Sequence, residues 1–312
     1  MAARILRDGG LVAFPTETVY GLGADVFNPS AVGKIFTAKG RPADNPLIVH
    51  ISSRSQLDRV AASIPEHANR LMDAFWPGPL TVILPRHPAV PYAVTAGLET
   101  VGVRFPSHPQ ALAFLRAART PVAAPSANRS GRPSPTTWQA VREDLDGRVD
   151  CILKGAPSQV GLESTVVDCT GRRPVVLRSG AIPVESLRSV VPHIRLANAR
   201  DKARGRSPGL KHRHYAPSIP VRIRTRIPKQ LSDSEAWIGI GSPPKGGRLV
   251  KGCRDIDDYA RHVFEFFRAS ERAGAKVIYC QAVSSRGIGR ALMDRIRRAA
   301  RNGMLYESCR AH

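Results

Sequence analysis

Cysteine is scarce in this chain of 312 residues: five thiols, at Cys151, Cys169, Cys253, Cys280 and Cys309, are scattered, odd in number and free of any Cys-x-x-Cys spacing. Neither a disulfide framework nor a zinc site is indicated. Long apolar runs are missing as well. None approaches the roughly 20 residues needed to cross a bilayer, and the N-terminus has no apolar signal-peptide core, so a cytoplasmic protein is expected. Acidic residues are few, with 25 Asp and Glu against 47 Lys and Arg and a formal net charge of +22. Such a surface attracts polyanions through counterion release, which brings nucleic acid, nucleotides and pyrophosphate into view as partners. Simple solubility would account for the same excess. Nine histidines are present, yet no serine elbow and no Cys and His signature accompanies them, so a protein nucleophile finds little support.

What is present is an alternation. Short apolar runs bounded by Gly, Pro and Ser read as strands: Leu11 to Phe14, Leu47 to Ile51, Leu80 to Leu84, Val101 to Phe105, Val122 to Ala124, Thr165 to Asp168 and Val175 to Leu177. Helical patterns lie between them, including Ser30 to Thr37 with Ser30 as N-cap, Glu66 to Phe75 and Gln110 to Arg119. Interleaved strands and helices predict an α/β sheet with loops gathered at the strand ends. From Leu196 to Gln230 ten Lys or Arg accompany one acid, Asp201, and the apolar period fades, as in a linker or extended arm. A second α/β pattern follows: strands at Trp237 to Ile240 and Val277 to Gln281, helices at Ile256 to Ala273 and Ile288 to Ala300. Tyr259, Val263, Phe266 and Phe267 share one helical face. The division expected is 1–195, a basic linker or lid over 196–218, and a small domain over 219–312. Gly239-Ile240-Gly241-Ser242 lacks the third glycine and following helix of a dinucleotide fingerprint and reads as a turn.

Polar loop clusters sit at the ends of the strands. The stretch Pro15-Thr16-Glu17-Thr18-Val19-Tyr20-Gly21-Leu22-Gly23 is followed by Lys39-Gly40-Arg41-Pro42 and by Asn45-Pro46-Leu47-Ile48-Val49-His50. Pro42 disfavours helix at Arg41, so both cations are expected to project from an extended segment, at least partly exposed, toward one anion. A lysine beside a forked guanidinium suits a triphosphate; two cations at a helix C-terminus would equally complement its dipole. Ala124-Pro125-Ser126-Ala127-Asn128-Arg129-Ser130-Gly131 suits phosphate or ribose, or is a plain turn. Gly161-Leu162-Glu163-Ser164-Thr165 and Arg178-Ser179-Gly180 complete the set. Ligands of open α/β sheets collect at such ends, and this inventory suits positioning and charge stabilisation rather than covalent catalysis.

In this order the clusters resemble the threonylcarbamoyl-AMP synthase family, whose catalytic domain is YrdC-like. The resemblance runs from about Ile5 to Val191, resumes at Ser207-Pro208-Gly209-Leu210-Lys211-His212-Arg213-His214-Tyr215-Ala216-Pro217, and extends to Gly287-Ile288-Gly289-Arg290-Ala291 with Asp294-Arg295 near the end. It implies a YrdC-like twisted mixed sheet with helices, then a linker and a small Rossmann-like domain. It also implies a nucleotidyltransferase that makes threonylcarbamoyl-adenylate and pyrophosphate from L-threonine, bicarbonate or CO2, and ATP with Mg2+, for modification of the tRNA adenosine next to the anticodon. By resemblance, Thr18, His50, Arg104, Ala124 and Ser164 line the threonine pocket. Lys39, Arg41, Asn45, Thr100, Ser126, Asn128, Ser134 and Arg178 contact ATP or the adenylate, and Tyr215 closes over the site. Lys39 and Arg41 are the residues implied in catalysis. No metal-ligand set is expected. tRNA or a downstream threonylcarbamoyl transferase is the expected macromolecular partner.

Two other functions compete. An RNA-binding module without catalysis would use the basic arms at Arg200 to Arg226 and Arg286 to Arg301. A carbamoyl transferase would carry acylphosphatase-like and zinc-finger segments, and neither is apparent.

Overall fold

The computed structural model describes residues 1–203 and 215–308, the side chains of 202 and 301–308 excepted. Ten strands of the first part are β1 (Val12–Phe14), β2 (Gly21–Asp25), β3 (Ile48–His50), β4 (Leu80–Pro85), β5 (Thr100–Arg104), β6 (Val122–Ala123), β7 (Cys151–Ile152), β8 (Thr165–Asp168), β9 (Val175–Arg178) and β10 (Arg195–Leu196). They form one mixed sheet in the order β10-β9-β8-β4-β5-β3-β6-β2-β1-β7. Helices α1 (Ala2–Arg7), α2 (Pro29–Lys39), α3 (Glu66–Phe75), α4 (Tyr92–Thr95), α5 (Pro109–Ala118), α6 (Trp138–Leu145) and α7 (Val184–Val190) accompany it.

The expected strands are all present. β2 was not expected. It is rich in glycine, which is depleted in strands, and crowding explains the choice: a Cβ on Gly23 would lie 2.7 Å from the Val122 side chain and 3.0 Å from Phe14. α2 starts earlier than its pattern suggested. Its N-cap is Asn28, whose side chain accepts from Ala31 N, with Pro29 preset for the first turn, so Ser30 is not the cap. Gly40 ends it in the left-handed conformation at φ 60°. β10 pairs in parallel with β9 through Leu196, so the first sheet reaches into the segment read as linker. Ala199–Ala203 forms a further helix, α8. The linker residues from Ser207 to His214 lie outside the described part.

The second part is a parallel sheet in the order β11-β16-β13-β15, built from β11 (Val221–Arg224), β13 (Glu235–Ile240), β15 (Leu249–Cys253) and β16 (Val277–Gln281). A parallel pair of short strands, β12 (Gln230–Leu231) and β14 (Lys245–Gly246), stands apart. The helices are α9 (Ile256–Arg272) and α10 (Gly289–Ser308). Asp255 caps α9 by accepting from Asp258 N, and Tyr259, Val263, Phe266 and Phe267 are buried as their spacing predicts. No described helix is long and apolar enough to cross a membrane.

The two parts share a core. Val19, Leu162 and Tyr215 pack in one apolar cluster with α9, α10 and the second sheet. Two guanidiniums are sunk in the contact: Arg268 Nη2 lies 2.7 Å from Asp144 Oδ2, and Arg295 Nε 2.8 Å from Glu163 Oε2. Removing one partner of such a buried pair costs about 3–5 kcal/mol, because the other charge is left unpaired in low dielectric.

Candidate active site

Strand register brings the polar clusters to one end of the sheet. β3 and β5 run parallel with His50 opposite Arg104. β4 enters antiparallel with Thr81 opposite Arg104, and β8 starts beside it with Leu80 opposite Thr165. Arg178, at the end of β9, faces Val166, and Gly21 bridges to Ser126. A Cβ on Gly180 would sit 2.3 Å from the backbone of Ser164 and Thr165, so only glycine lets these two loops touch.

The result is a cavity of about 590 Å³, its open mouth included, lined by Thr18, His50, Arg104, Ala124, Ser126, Ser164, Arg41, Arg178, Glu163 and Tyr215 among others. All five residues expected to hold the amino acid line it, as do Arg41, Ser126, Arg178 and Tyr215. Lys39, Asn45, Asn128 and Ser134 stand just behind the wall. Lys39 Nζ donates to Ser126 O at 2.6 Å and to Asn128 O. Ser126 Oγ donates to Asn128 Oδ1 at 2.5 Å, and Ser134 Oγ to Glu163 Oε1 at 2.6 Å. Thr100 does not join them. It opens β5, opposite Pro85, and four residues of strand put it roughly 13 Å from Arg104.

Lys39 and Arg41 differ from expectation. They are 3% and 8% exposed, and Lys39 does not project from an extended segment. Lys39 is the last residue of α2, buried by the loop that starts 87 positions later in the chain. Arg41 turns back, its Nη2 donating to Asn45 O and Pro46 O at 3.1 and 3.0 Å. Burial drives the Lys39 ammonium well below its ordinary pKa, Arg41 adds to the drop, and Asp144 opposes it. Burial likewise brings Arg41 down to about 10, with Tyr215 countering and Arg178 reinforcing the shift. Cations that depress one another around a dry cavity are relieved by an anionic ligand.

The other groups are held tightly. Arg104 Nη1 donates to Thr18 Oγ1 at 2.8 Å and Nη2 to Glu17 Oε1 at 2.6 Å, while its buried Nε finds no acceptor in the protein. Arg178 grips Ser164 through the carbonyl at 3.0 Å and the hydroxyl at 3.1 Å, and Thr81 Oγ1 lies 2.8 Å from that hydroxyl. His50 is neutral: burial, then the Arg104 charge, lowers it to about 3. For Glu163, burial pushes upward, but Arg295, Arg178 and the Ser134 and Arg295 hydrogen bonds outweigh it and leave the carboxyl below its usual value. Tyr215 is 5% exposed at φ 68°, stacked on Phe264 at 5.5 Å. Glu17, Thr81, Glu163 and Arg295 are the residues that sequence reasoning left without a role. Only Glu17 and Glu163 gave a signal, as the acids inside otherwise basic or hydroxyl-bearing clusters. Among the described residues no group of three or more His, Cys, Asp or Glu could hold a metal.

Comparison with known proteins agrees along nearly the whole chain. A model of the Sua5, YciO and YrdC proteins, described as "Telomere recombination", matches residues 4–180, and one described as "Threonylcarbamoyl-AMP synthase, C-terminal domain" matches 182–301. The threonylcarbamoyl-AMP synthase of Pyrococcus abyssi is 44% identical, with 96% of this chain and 93% of that protein covered. That of Bacillus subtilis is 42% identical over 96% and 92%. The crystal structure of P. abyssi Sua5 complexed with L-threonine superposes with a TM-score of 0.87 at 40% identity, over 97% of this chain and 94% of that one. On its sequence, its two-part architecture and the make-up of its cavity, the chain belongs to the threonylcarbamoyl-AMP synthase family.

Proposed function

We propose that the chain makes L-threonylcarbamoyl-adenylate and pyrophosphate from L-threonine, bicarbonate or CO2, and ATP. The observation that carries this reading is the single cavity in which Thr18, His50, Arg104, Ala124 and Ser164 stand beside Arg41, Ser126 and Arg178: a pocket for a small zwitterion next to one for phosphates. Threonine's amine adds to CO2, a carbamate oxygen attacks the α-phosphorus, and pyrophosphate leaves. Charge builds on phosphoryl oxygens, so fixed cations aimed there lower the barrier without any protein nucleophile. Arg41 and Arg178 line the phosphate side, and Lys39 stiffens the Ser126 to Asn128 loop from behind. Arg104 Nε, a buried donor without a protein acceptor, suits the threonine carboxylate. A neutral His50 and Thr18 suit its hydroxyl, and valine would leave them unpaired. Among the described residues that line the cavity Glu163 is the only carboxylate, and both its oxygens are engaged, so Mg2+ belongs to the substrate, carried in on the phosphates of ATP.

Tyr215 lines the cavity and is itself buried, which supports a lid: the segment bearing it is the part that would move to admit a nucleotide and return to keep water from the adenylate. The excess of 47 basic over 25 acidic residues favours docking to tRNA in the cytoplasm; association that ignores ionic strength would count against it.

The central test is mass spectrometry of the product, with pyrophosphate release followed in parallel. Release is expected only when threonine and bicarbonate are both supplied; release indifferent to threonine defeats the reading. A second expectation concerns Glu17, which does not line the cavity but orients Arg104. Glu17→Gln keeps a hydrogen-bond acceptor and loses the ion pair, so the KM for threonine should rise about tenfold while that for ATP holds. Equal changes in both constants would remove Glu17 from the threonine side.

A further inference from the structure

Arg295 comes from α10 of the second part, and its side chain is fully buried. Its Nε donates to Glu163 Oε2 at 2.8 Å, its Nη2 to Ser179 O at 3.0 Å and its Nη1 to Asp294 Oδ2 at 2.6 Å. The same guanidinium carbon lies 5.1 Å from the centre of the Tyr215 ring. Glu163 in turn accepts from Ser134. One cation therefore touches Glu163, which precedes Ser164 and aims Ser134, Ser179, which follows Arg178, and the Tyr215 ring that lines the cavity. Lysine could reproduce one of these contacts but not the fork and the flat face together.

We propose that Arg295 is a positioning residue for the nucleotide side of the cavity, through which the second part of the chain fixes both the wall and the cover of the site. The assignment rests on the adenylate-forming reading but asks more of it, since it makes α10 part of the machinery although α10 supplies no group to the reacting atoms. Its physical basis is order: Glu163, Ser179 and Tyr215 belong to three separate segments, and a single buried charge holds them in one geometry. Without it, Glu163 is a buried carboxylate short of its main partner and Tyr215 loses the cation over its ring, so ATP must organise these groups on binding, and its apparent affinity falls.

Arg268 provides the comparison. It too is a buried arginine crossing from the second part to the first, where it pairs with Asp144 and Glu143 and donates to Pro133 O at 2.6 Å, none of which lines the cavity. Wild type, Arg295→Met, Arg295→Lys and Arg268→Met are compared by ATP titration calorimetry, by steady-state pyrophosphate release and by thermal melting. Arg295→Met is expected to raise the ATP dissociation constant and KM about tenfold with kcat changed less than about threefold, Arg295→Lys to give an intermediate rise, and Arg268→Met to lower the melting temperature with ATP affinity intact. Should Arg295→Met not fold, Arg295→Lys carries the test alone. Unchanged ATP affinity in the Arg295 variants, or an equal rise in Arg268→Met, overturns the proposal. If wild type itself forms no adenylate with threonine and bicarbonate, the functional reading fails instead, and the calorimetric comparison still decides the positioning.

Discussion

Arg41→Met should lower kcat/KM by about 100- to 1000-fold, the loss typical of deleting one preorganised group that stabilises transition-state charge. Arg41 lines the cavity, and its guanidinium is already fixed by the carbonyls of Asn45 and Pro46, so no reorganisation is needed when charge builds on the α-phosphoryl oxygens. Arg41→Lys keeps a charge but not the fork, and should recover only part of the loss. Lys39→Met tests a different relationship. Lys39 does not line the cavity; it joins the end of α2 to the carbonyls of Ser126 and Asn128. Its removal leaves two carbonyls without their donor, at about 1–3 kcal/mol, so activity and melting temperature should fall together. Pyrophosphate release and calorimetric unfolding on the two variants separate the roles. The assignment would not survive an Arg41→Met protein that loses stability and activity in the same proportion as Lys39→Met.

That contrast marks where the sequence was legible. Strand-end clusters could be read because turns announce themselves: Pro, Gly, Ser and Asn punctuate each apolar run, and register then sets His50 beside Arg104 and Val166 beside Arg178. The residues expected to hold threonine came from the family resemblance, and four of them, His50, Arg104, Ala124 and Ser164, sit at or beside ends of β3, β5, β6 and β8. Lys39 could not be placed. Beside Gly40 and Pro42 it looks like a surface cation at a helix end, and nothing local says that a loop beginning near residue 124 will bury it. Thr100 shows the opposite limit: its residue type suits a ligand contact, but its position at the far end of β5 takes it away. β2 was hidden by the glycines that its tight packing on Phe14 and Val122 requires. The role of Arg295 was hidden most completely. The resemblance marks Asp294-Arg295 as part of the closing helix but gives it no task, and only tertiary contact shows a guanidinium locked to Glu163.

Stability should fall by about 2 kcal/mol between pH 6.5 and pH 5 on account of His50 alone. The folded protein holds this imidazole neutral down to about pH 3, first by burial and then by the charge of Arg104, whereas the unfolded chain takes up a proton near 6.5. Below 6.5 the unfolded state therefore binds more protons, and unfolding becomes easier as pH drops; above it both states are neutral and the contribution is flat. Buried carboxylates act lower. Glu163 starts from an ordinary value of 4.5 and is depressed further, so its stabilising charge is lost only as pH falls below that range. His108, also lowered by burial, pulls in the same direction as His50, which is why the measurement is a difference. Denaturant midpoints of wild type and His50→Gln at about pH 7.5 and pH 5 should show a steeper acid loss in wild type. Parallel slopes in the two proteins would mean that His50 is protonated in the folded state, and would remove the neutral imidazole on which its pairing with a substrate hydroxyl depends.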